Sequence, residues 1–491
     1  MPGNLKNAFK SEMDLARAAY FKNDMNRAFS LFERAHILGQ RYWLSHVITH
    51  WWMLKIALRR SDLKETFGQV LRIVATIPGY LFGWVPKGNT GGSNVSAIKP
   101  MAIPDDLAPF LDDYNVKRDV AIRVPLLILL SLLGWLAYFG QGVWERMGEN
   151  REVVSNFSGQ CNKLMGVNAP EDIVLDAERR IAYAVGGDRR SFRSGGPGRA
   201  KIWAIDLDNP GSSVPLDITP RTPISFRSYG MAMHVDDSGV RRFFVANRPD
   251  GQHTIEVFVI GKNNRLEHEQ TLSHPLLKNP NDLVALRPNE VLVTLDKEAD
   301  AGGLAEILEG AFERPSGKVL HLSGATAEIV ADGLLMANGI ALNADGTVLY
   351  VGETVGQRLS VFDRDVTSNE LRFNRYVPVA TGVDNLSIDV NGTVYIAGHP
   401  KLLTLAMGYQ KSEDVPSPSE VIAYEPKGGT VRRLYVNNGL ELSGGSVAII
   451  DKASGRMLIG SAFGPHILNC VFDRENTGDL LGAWSHHNSQ L

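Results

Sequence analysis

Over the C-terminal two-thirds of the chain, apolar and polar positions alternate in short runs that end at turn residues. In residues 382–400, Leu386, Ile388 and Val390 alternate with polar neighbours, Asn391-Gly392 supplies a left-handed turn, and Val394-Tyr395-Ile396 starts a return strand. That pattern predicts a β-hairpin. Its head is the pair Asp384-Asn385, two oxygen-bearing side chains at the start of a buried strand, which are costly to bury unless something satisfies them. The same unit recurs. Asn338 leads a strand whose turn is Asp345-Gly346, while Asn281 and the pair Glu171-Asp172 lead strands in the same register; looser copies begin at Tyr229 and Gly445. Six units at roughly 40–60 residue spacing predict a six-bladed β-propeller, an all-β fold whose innermost strands begin around a central channel. Glu171, Asp172, Asn281, Asn338, Asp384 and Asn385 are then expected to converge at one end of one tunnel. Carboxylate and amide oxygens without a thiolate suit a hard cation and point to calcium.

Upstream the period changes. Ala16, Ala19, Tyr20, Ala28, Phe29, Phe32 and Ala35 recur at helical spacing, interrupted at Asn23-Asp24, and Arg60-Ser61-Asp62 interrupts a second helical stretch about one tetratricopeptide period later. Residues 13–39 and 45–78 are each expected to be a helical hairpin of a small all-α domain spanning 1–115. Between the two halves, residues 124–144 form an apolar run of about bilayer length with no charge inside it. Trp135, Tyr138 and Trp144 suit interfacial anchors, so 120–146 is expected to be a transmembrane helix. Lys117, Arg118 and Arg123 precede the run, whereas Glu145, Arg146, Glu149, Arg151 and Glu152 follow it, which places the N-terminus in the cytoplasm and the propeller (156–485) outside.

Composition adds two constraints. A formal net charge of −3, without long charged runs, carries no nucleic-acid footprint. Cys161 precedes the first unit and Cys470 follows the last. A disulfide between them would clasp the ends of the ring and would form in an oxidising compartment, in keeping with the predicted topology.

In the helical half, Glu33 and His36 stand at i,i+3, and His46 and His50 at i,i+4. Such spacing is compatible with zinc or iron, but it is also what histidines packed and hydrogen-bonded between helices produce. The segment Lys87-Gly-Asn-Thr-Gly-Gly-Ser93 lacks the Lys-Ser/Thr pair of a phosphate-binding loop and reads as an ordinary loop. Through Glu33-Arg-Ala-His36, His46-Val-Ile-Thr-His50, Gly88-Asn-Thr-Gly-Gly-Ser-Asn94 and Pro100-Met-Ala-Ile-Pro104 this half resembles a small bacterial family of unknown function.

Residues 161–472 resemble the paraoxonase/arylesterase family, relatives of the gluconolactonase-type propellers. The motifs are Cys161-Asn, Glu171-Asp172, Phe226-Arg-Ser-Tyr-Gly230, Val245-Ala-Asn-Arg-Pro-Asp250, Asn279-Pro-Asn-Asp282, Ala337-Asn-Gly339, Val383-Asp-Asn385, Gly398-His-Pro400 and Leu458-Ile-Gly-Ser-Ala-Phe463. The resemblance implies two calcium ions: a catalytic one on Glu171, Asn281, Asn338, Asp384 and Asn385, and a structural one on Asp172, Asp282 and the Met231 carbonyl. It implies hydrolysis of lactones or aryl and carboxylic esters by water, with calcium polarising the carbonyl. Where the family carries a histidine pair this chain has Tyr229 and Arg248, so the base is sought among Glu171, Asp384 and His399. Tyr229 is then a donor or substrate-orienting group, and Arg248, with Asn247, a substrate contact for an anionic group. The expectation is a single-pass protein of a bacterial inner membrane with a periplasmic propeller, a small-molecule substrate, and a cytoplasmic partner for the helical domain. The alternative is a non-catalytic, calcium-stabilised propeller that binds a ligand or a protein. The loops 297–316 and 407–418 are expected to border the tunnel entrance.

Overall fold

The computed structural model describes residues 1–113, 115–196, 198–208, 214–220, 225–249, 252–261, 265–299 and 303–473. Asp250, residues 300–302 of one entrance loop and the last stretch of the expected propeller span, 474–485, lie outside the described residues. The chain divides into two compact units, Met1–Gly140 and Gln141–Leu491.

The first unit starts with four helices: α1 Gly3–Phe21, α2 Met25–Gly39, α3 Trp43–Arg59 and α4 Leu63–Phe82. The predicted breaks hold for a physical reason. Asn23 and Ser61 take left-handed φ of 64° and 56°, and the following Asp24 and Asp62 accept the Arg27 and Glu65 N–H groups at 3.1 and 3.0 Å as N-caps. Ala16, Ala28 and Ala35 let α1 and α2 pack closely around Phe32, Met53 and Ile56. The Gly-rich segment is a loop, held by Asn89, whose amide nitrogen donates to Ser96 O and Lys99 O at 2.9 Å each. α5, Val116–Arg146, is 31 residues long, about 46 Å at the helical rise. Among the described residues it is the one helix long and apolar enough to cross a membrane.

The second unit is a six-bladed β-propeller. Its innermost strands are Pro170–Asp176, Ser228–Val235, Pro280–Arg287, Ala337–Leu342, Gly382–Ile388 and Gly445–Asp451, one for each of blades I to VI. These are the six units read from the alternation. Blade VI is completed by an N-terminal strand, Gly159–Leu164, which pairs antiparallel with Ile467–Phe472. Cys161 and Cys470 face each other in that ladder and form the disulfide.

One local device repeats around the ring. In every blade the pairing between innermost and second strand shifts register within the first few residues: after Pro170, Ser228, Pro280, Ala337, Val383 and Gly445. Such a β-bulge releases a residue from strict alternation and re-aims its side chain. In blades I, III and IV a non-glycine residue with positive φ (Ala169, Asn279, Met336) immediately precedes the strand, and Ala380 stands two residues before that of blade V. Conformations of that kind cost on the order of 1–3 kcal/mol and persist where surrounding structure enforces them.

Candidate functional site: an oxygen-lined ring at the channel mouth

The bulges explain how two consecutive polar residues can both be buried. Glu171, Asn281, Asn338 and Asn385 are at most 7% exposed. Glu171 Oε2 and the Oδ1 atoms of Asn281, Asn338 and Asn385 have no hydrogen-bond partner among the described residues. The other polar side-chain atoms of Glu171, Asn338 and Asn385 are engaged. Glu171 Oε1 accepts an ion pair from Arg189 Nη1 at 3.1 Å. Asn338 Nδ2 donates to Thr354 Oγ1 at 3.1 Å. Asn385 Nδ2 donates to Glu171 O at 3.0 Å, a bond that reaches past blade VI from blade V to blade I. Buried polar atoms normally find partners, so four bare oxygens near the heads of the innermost strands mark a candidate site for an electron-poor ligand.

Hydroxyls beside the bulges hold them in place. Thr294 Oγ1 accepts the Asp282 N–H at 3.0 Å and donates to Asn338 O at 2.6 Å; Thr354 Oγ1 donates to Val383 O at 2.6 Å. Ser446 Oγ donates to Glu171 O at 2.7 Å. Two glycines mark where neighbouring backbones touch. A Cβ on Gly230 would lie 2.4 Å from Asp282 Oδ1, and one on Gly339 would lie 2.4 Å from Asp384 O.

Asp172 and Asp282 occupy equivalent places. Each carboxylate bonds its own next N–H and reaches across to the following blade, Asp172 Oδ2 to Met231 N at 2.6 Å and Asp282 Oδ2 to Ile340 N at 2.9 Å. Together with Met231 they border the central channel, a space of about 610 Å³ that all six innermost strands line. Burial is the main force on these carboxyls. It pushes Glu171 up to about 8, against the pull of Arg189 and with the charges of Asp384 and Asp172 adding to it. It pushes Asp172 up to about 7 despite its two backbone N–H partners, and Asp282 well above the usual carboxylate range. Four carboxylates with few cations in a low-dielectric site create a demand for positive charge.

His399 ends the second strand of blade V. Its Nε2 lies 2.7 Å from Asp384 Oδ2, and its Nδ1 has no partner among the described residues. Tyr229 is held between two guanidinium groups, Arg248 at 3.9 Å and Arg189 at 4.1 Å from its ring centroid. Burial would raise its pKa, but Arg248, Arg189 and Lys297 outweigh that and bring the phenol down to about 8.

Two expected substrate contacts are otherwise occupied. Arg248 donates through Nε to Pro280 O at 2.7 Å and through Nη2 to Asn279 O at 2.8 Å and Asp296 at 3.0 Å. Its positive charge is therefore spent inside blades II and III rather than offered to an anion. Asn247 is 1% exposed. Its Oδ1 accepts Arg227 N–H at 2.8 Å, and its Nδ2 faces Ser225 O, Thr254 Oγ1 and Glu256 Oε1 at 3.1–3.2 Å. That amide ties blade II together. Asn247→Leu is accordingly expected to cost about 1–3 kcal/mol of stability, the scale for stranding buried polar partners, while leaving KM for any substrate unchanged. Urea unfolding beside steady-state kinetics checks both halves.

Arg189 escaped the sequence reading. It belongs to no repeat; it sits in a short helix, Arg189–Arg193, inserted between the second and third strands of blade I. There it pairs with Glu171 and borders a mouth cavity of about 530 Å³ with Asn168, Arg190, Glu413 and Phe463. The available signal was Asp188-Arg189-Arg190, a charged cluster in a loop between two apolar strands. The segment after α5 joins the same face. Met147 O accepts Leu402 N–H at 3.0 Å, Glu149 accepts the N–H groups of Leu403 and Thr404 at 2.8 and 2.9 Å, and Arg151 bonds Gln357 at 2.9 Å.

Fold and site define a β-propeller with four buried, unpartnered oxygens near the heads of its innermost strands. The arylesterase family matches residues 188–471, more than half of the chain, and the protein belongs to that family. A family described as proteins of unknown function (DUF3703) matches residues 3–111. Serum paraoxonase/arylesterase 2 of Rattus norvegicus is 28% identical, the match covering 69% of this chain and 97% of the relative. Serum paraoxonase/lactonase 3 of Mus musculus is 29% identical over the same shares of each chain. Among solved structures, a luciferin-regenerating enzyme aligns with TM-score 0.44 and 15% identity over 64% of this chain and 95% of its own.

Proposed function

We propose that this protein is a membrane-anchored, calcium-dependent hydrolase of lactones or of aryl and carboxylic esters. The observation that carries the reading is the set of four buried, unpartnered oxygens on Glu171, Asn281, Asn338 and Asn385 in a chain of the arylesterase family. With Asp384 they would hold one calcium ion; Asp172, Asp282 and the Met231 carbonyl would hold a second. An all-oxygen set mixing carboxylates, amides and a carbonyl fits that ion's preferences. Bound calcium would polarise the substrate carbonyl and offset the oxyanion charge.

The chain's own groups divide the remaining work. His399, through Nε2 on Asp384 Oδ2, keeps that carboxylate aimed and leaves a bare Nδ1. Glu171, Asp384 and His399 are the groups we assign to accept the proton of the attacking water. Tyr229 presents a phenol held by two guanidinium groups, a donor suited to a developing negative oxygen. Arg189, rather than Arg248, is the cation at the substrate's edge. The segment that follows the apolar helix is fastened to loops on the mouth face, and the substrate we propose is a hydrophobic ester. In the domain assignment that accompanies this reading, residues 1–115 are a cytoplasmic helical domain available to a protein partner, 120–146 span a bacterial inner membrane, and 156–485 form the periplasmic propeller.

The test is hydrolysis of a lactone and aryl-ester panel by the purified protein, with calcium and with chelator. Turnover is expected with calcium alone, and Asn338→Ala is expected to reduce it by about 10–100-fold, with weaker calcium affinity. Calcium-dependent stability without turnover on any member of the panel would support the second reading, a non-catalytic calcium-stabilised binding propeller. The replacement of the family's histidine pair by Tyr229 and an Arg248 already bonded to Pro280, Asn279 and Asp296 favours that alternative.

A further inference from the structure

The helical unit carries a second, chemically different site. His36 on α2 and His46 and His50 on α3 bring their Nε2 atoms together. His36 Nε2 lies 3.2 Å from His50 Nε2, which lies 3.0 Å from His46 Nε2. All three rings are buried, at 2%, 7% and 2% exposure.

The arrangement is more than packing, because the outer nitrogens fix where the protons are. His36 Nδ1 lies 2.9 Å from Asn89 O. A carbonyl only accepts, so Nδ1 carries the hydrogen and Nε2 is a lone pair. His50 Nδ1 lies 2.7 Å from Gln69 Oε1. The Gln69 amide nitrogen is pinned the other way, donating to Glu65 Oε1 at 2.6 Å and Gly91 O at 2.9 Å. Its oxygen therefore faces His50, whose Nδ1 is again the donor. Two imidazole lone pairs consequently point at each other across 3.2 Å with no hydrogen between them. Neutral rings repel in that geometry.

We propose that His36, His46 and His50 bind a borderline divalent transition-metal ion, zinc foremost, through their Nε2 atoms. Imidazole nitrogens at the usual zinc distance of about 2.0–2.1 Å in a tetrahedral site stand roughly 3.3 Å apart, close to the spacing observed. The outer partners are those that orient metal-bound histidines: a carbonyl on His36, and on His50 an amide held by a buried carboxylate. Glu65 is itself fixed by Ser93 N at 2.9 Å. The Gly-rich loop closes over the site. A Cβ on Gly91, at φ +83°, would come within 2.8 Å of the His36 ring. Glu33, which shares the helical spacing of His36, is outside the group: its carboxyl is bonded to Thr90. Three protein ligands leave one coordination position open.

The experiment uses full-length, untagged protein in detergent, stripped with chelator and dialysed against millimolar calcium to saturate the propeller. Zinc or cobalt is then added and retained metal is measured by mass spectrometry, with the visible spectrum of the cobalt form. One zinc per chain is expected, with the cobalt bands of a nitrogen-ligated four- or five-coordinate ion. His36→Gln and His50→Gln should each weaken retention at least 100-fold. Wild-type protein with intact helical circular dichroism that keeps neither metal would overturn the proposal, as would retention unchanged in both variants. Because metal retention by the wild type is decisive on its own, a variant that misfolds does not weaken the test.

Discussion

Replacing Glu171 by glutamine is expected to lower kcat/KM for ester hydrolysis by on the order of 10²–10³, the scale of losing one preorganised electrostatic contact to a transition state. Calcium affinity is expected to fall with it. Glutamine keeps the shape and the backbone bonds that Asn385 and Ser446 make to Glu171 O, so the blade geometry survives and only the charge is lost. The second Glu171 oxygen, Oε2, has no protein partner among the described residues, while the first holds Arg189 at 3.1 Å. The variant should also be less dependent on calcium for its stability, since burial of the Glu171 carboxylate is costly until a cation compensates it. A calcium titration of turnover, beside thermal unfolding with and without chelator, measures both effects. Activity within threefold of wild type at the same calcium requirement would remove Glu171 from the site and leave the family assignment without its proposed chemistry here.

The bulge that makes this site also explains why much of it was legible in one dimension. Period-2 alternation sends consecutive residues to opposite faces of a sheet. Glu171-Asp172, Asn281-Asp282 and Asp384-Asn385 break that rule at the same offset in three strands, and every one of these side chains is buried. A repeated break in alternation marks a repeated bulge. The blades themselves were readable because turn residues such as Asn391-Gly392 and Asp345-Gly346 punctuate the runs, and Gly392 and Gly346 do take φ of 85° and 70°. What could not be read was anything carried on a loop or set by packing between elements. Arg189 reaches Glu171 only because an inserted helix folds over the mouth. Arg248, next to a motif residue, looked available, yet its partners Pro280, Asn279 and Asp296 come from the following blade. In the helical unit the i,i+4 pair His46 and His50 was visible on one helix face. Recruiting His36 instead of Glu33 depends on how α2 packs against α3, which spacing along one helix does not encode.

The largest stability effect is expected from opening the ring. In a propeller the first and last strands must meet, and here six residues of Gly159–Leu164 pair with Ile467–Phe472. Without a covalent link, that ladder and the contacts beside it hold together two segments that lie 309 residues apart in sequence. Loop-closure entropy grows with the logarithm of that separation, and a loop of several hundred residues corresponds to about 5 kcal/mol. Cys161→Ser is therefore expected to lower unfolding stability by about 5 kcal/mol, or roughly 10 °C in Tm for a domain of this size. Cys470 is fully buried, at 0% exposure, so Cys161→Ser is the gentler variant of the pair. Reducing agent should shift wild type to the Tm of the variant and leave the variant unmoved. A double variant, Cys161→Ser with Cys470→Ala, should match the single one, because the effect belongs to the link and not to either side chain. If reduction and substitution both leave Tm within about 2 °C of wild type, the strand ladder and the packing of Phe157, Tyr435 and Phe472 around it already close the ring. The disulfide would then guard against opening only under conditions harsher than folding equilibrium.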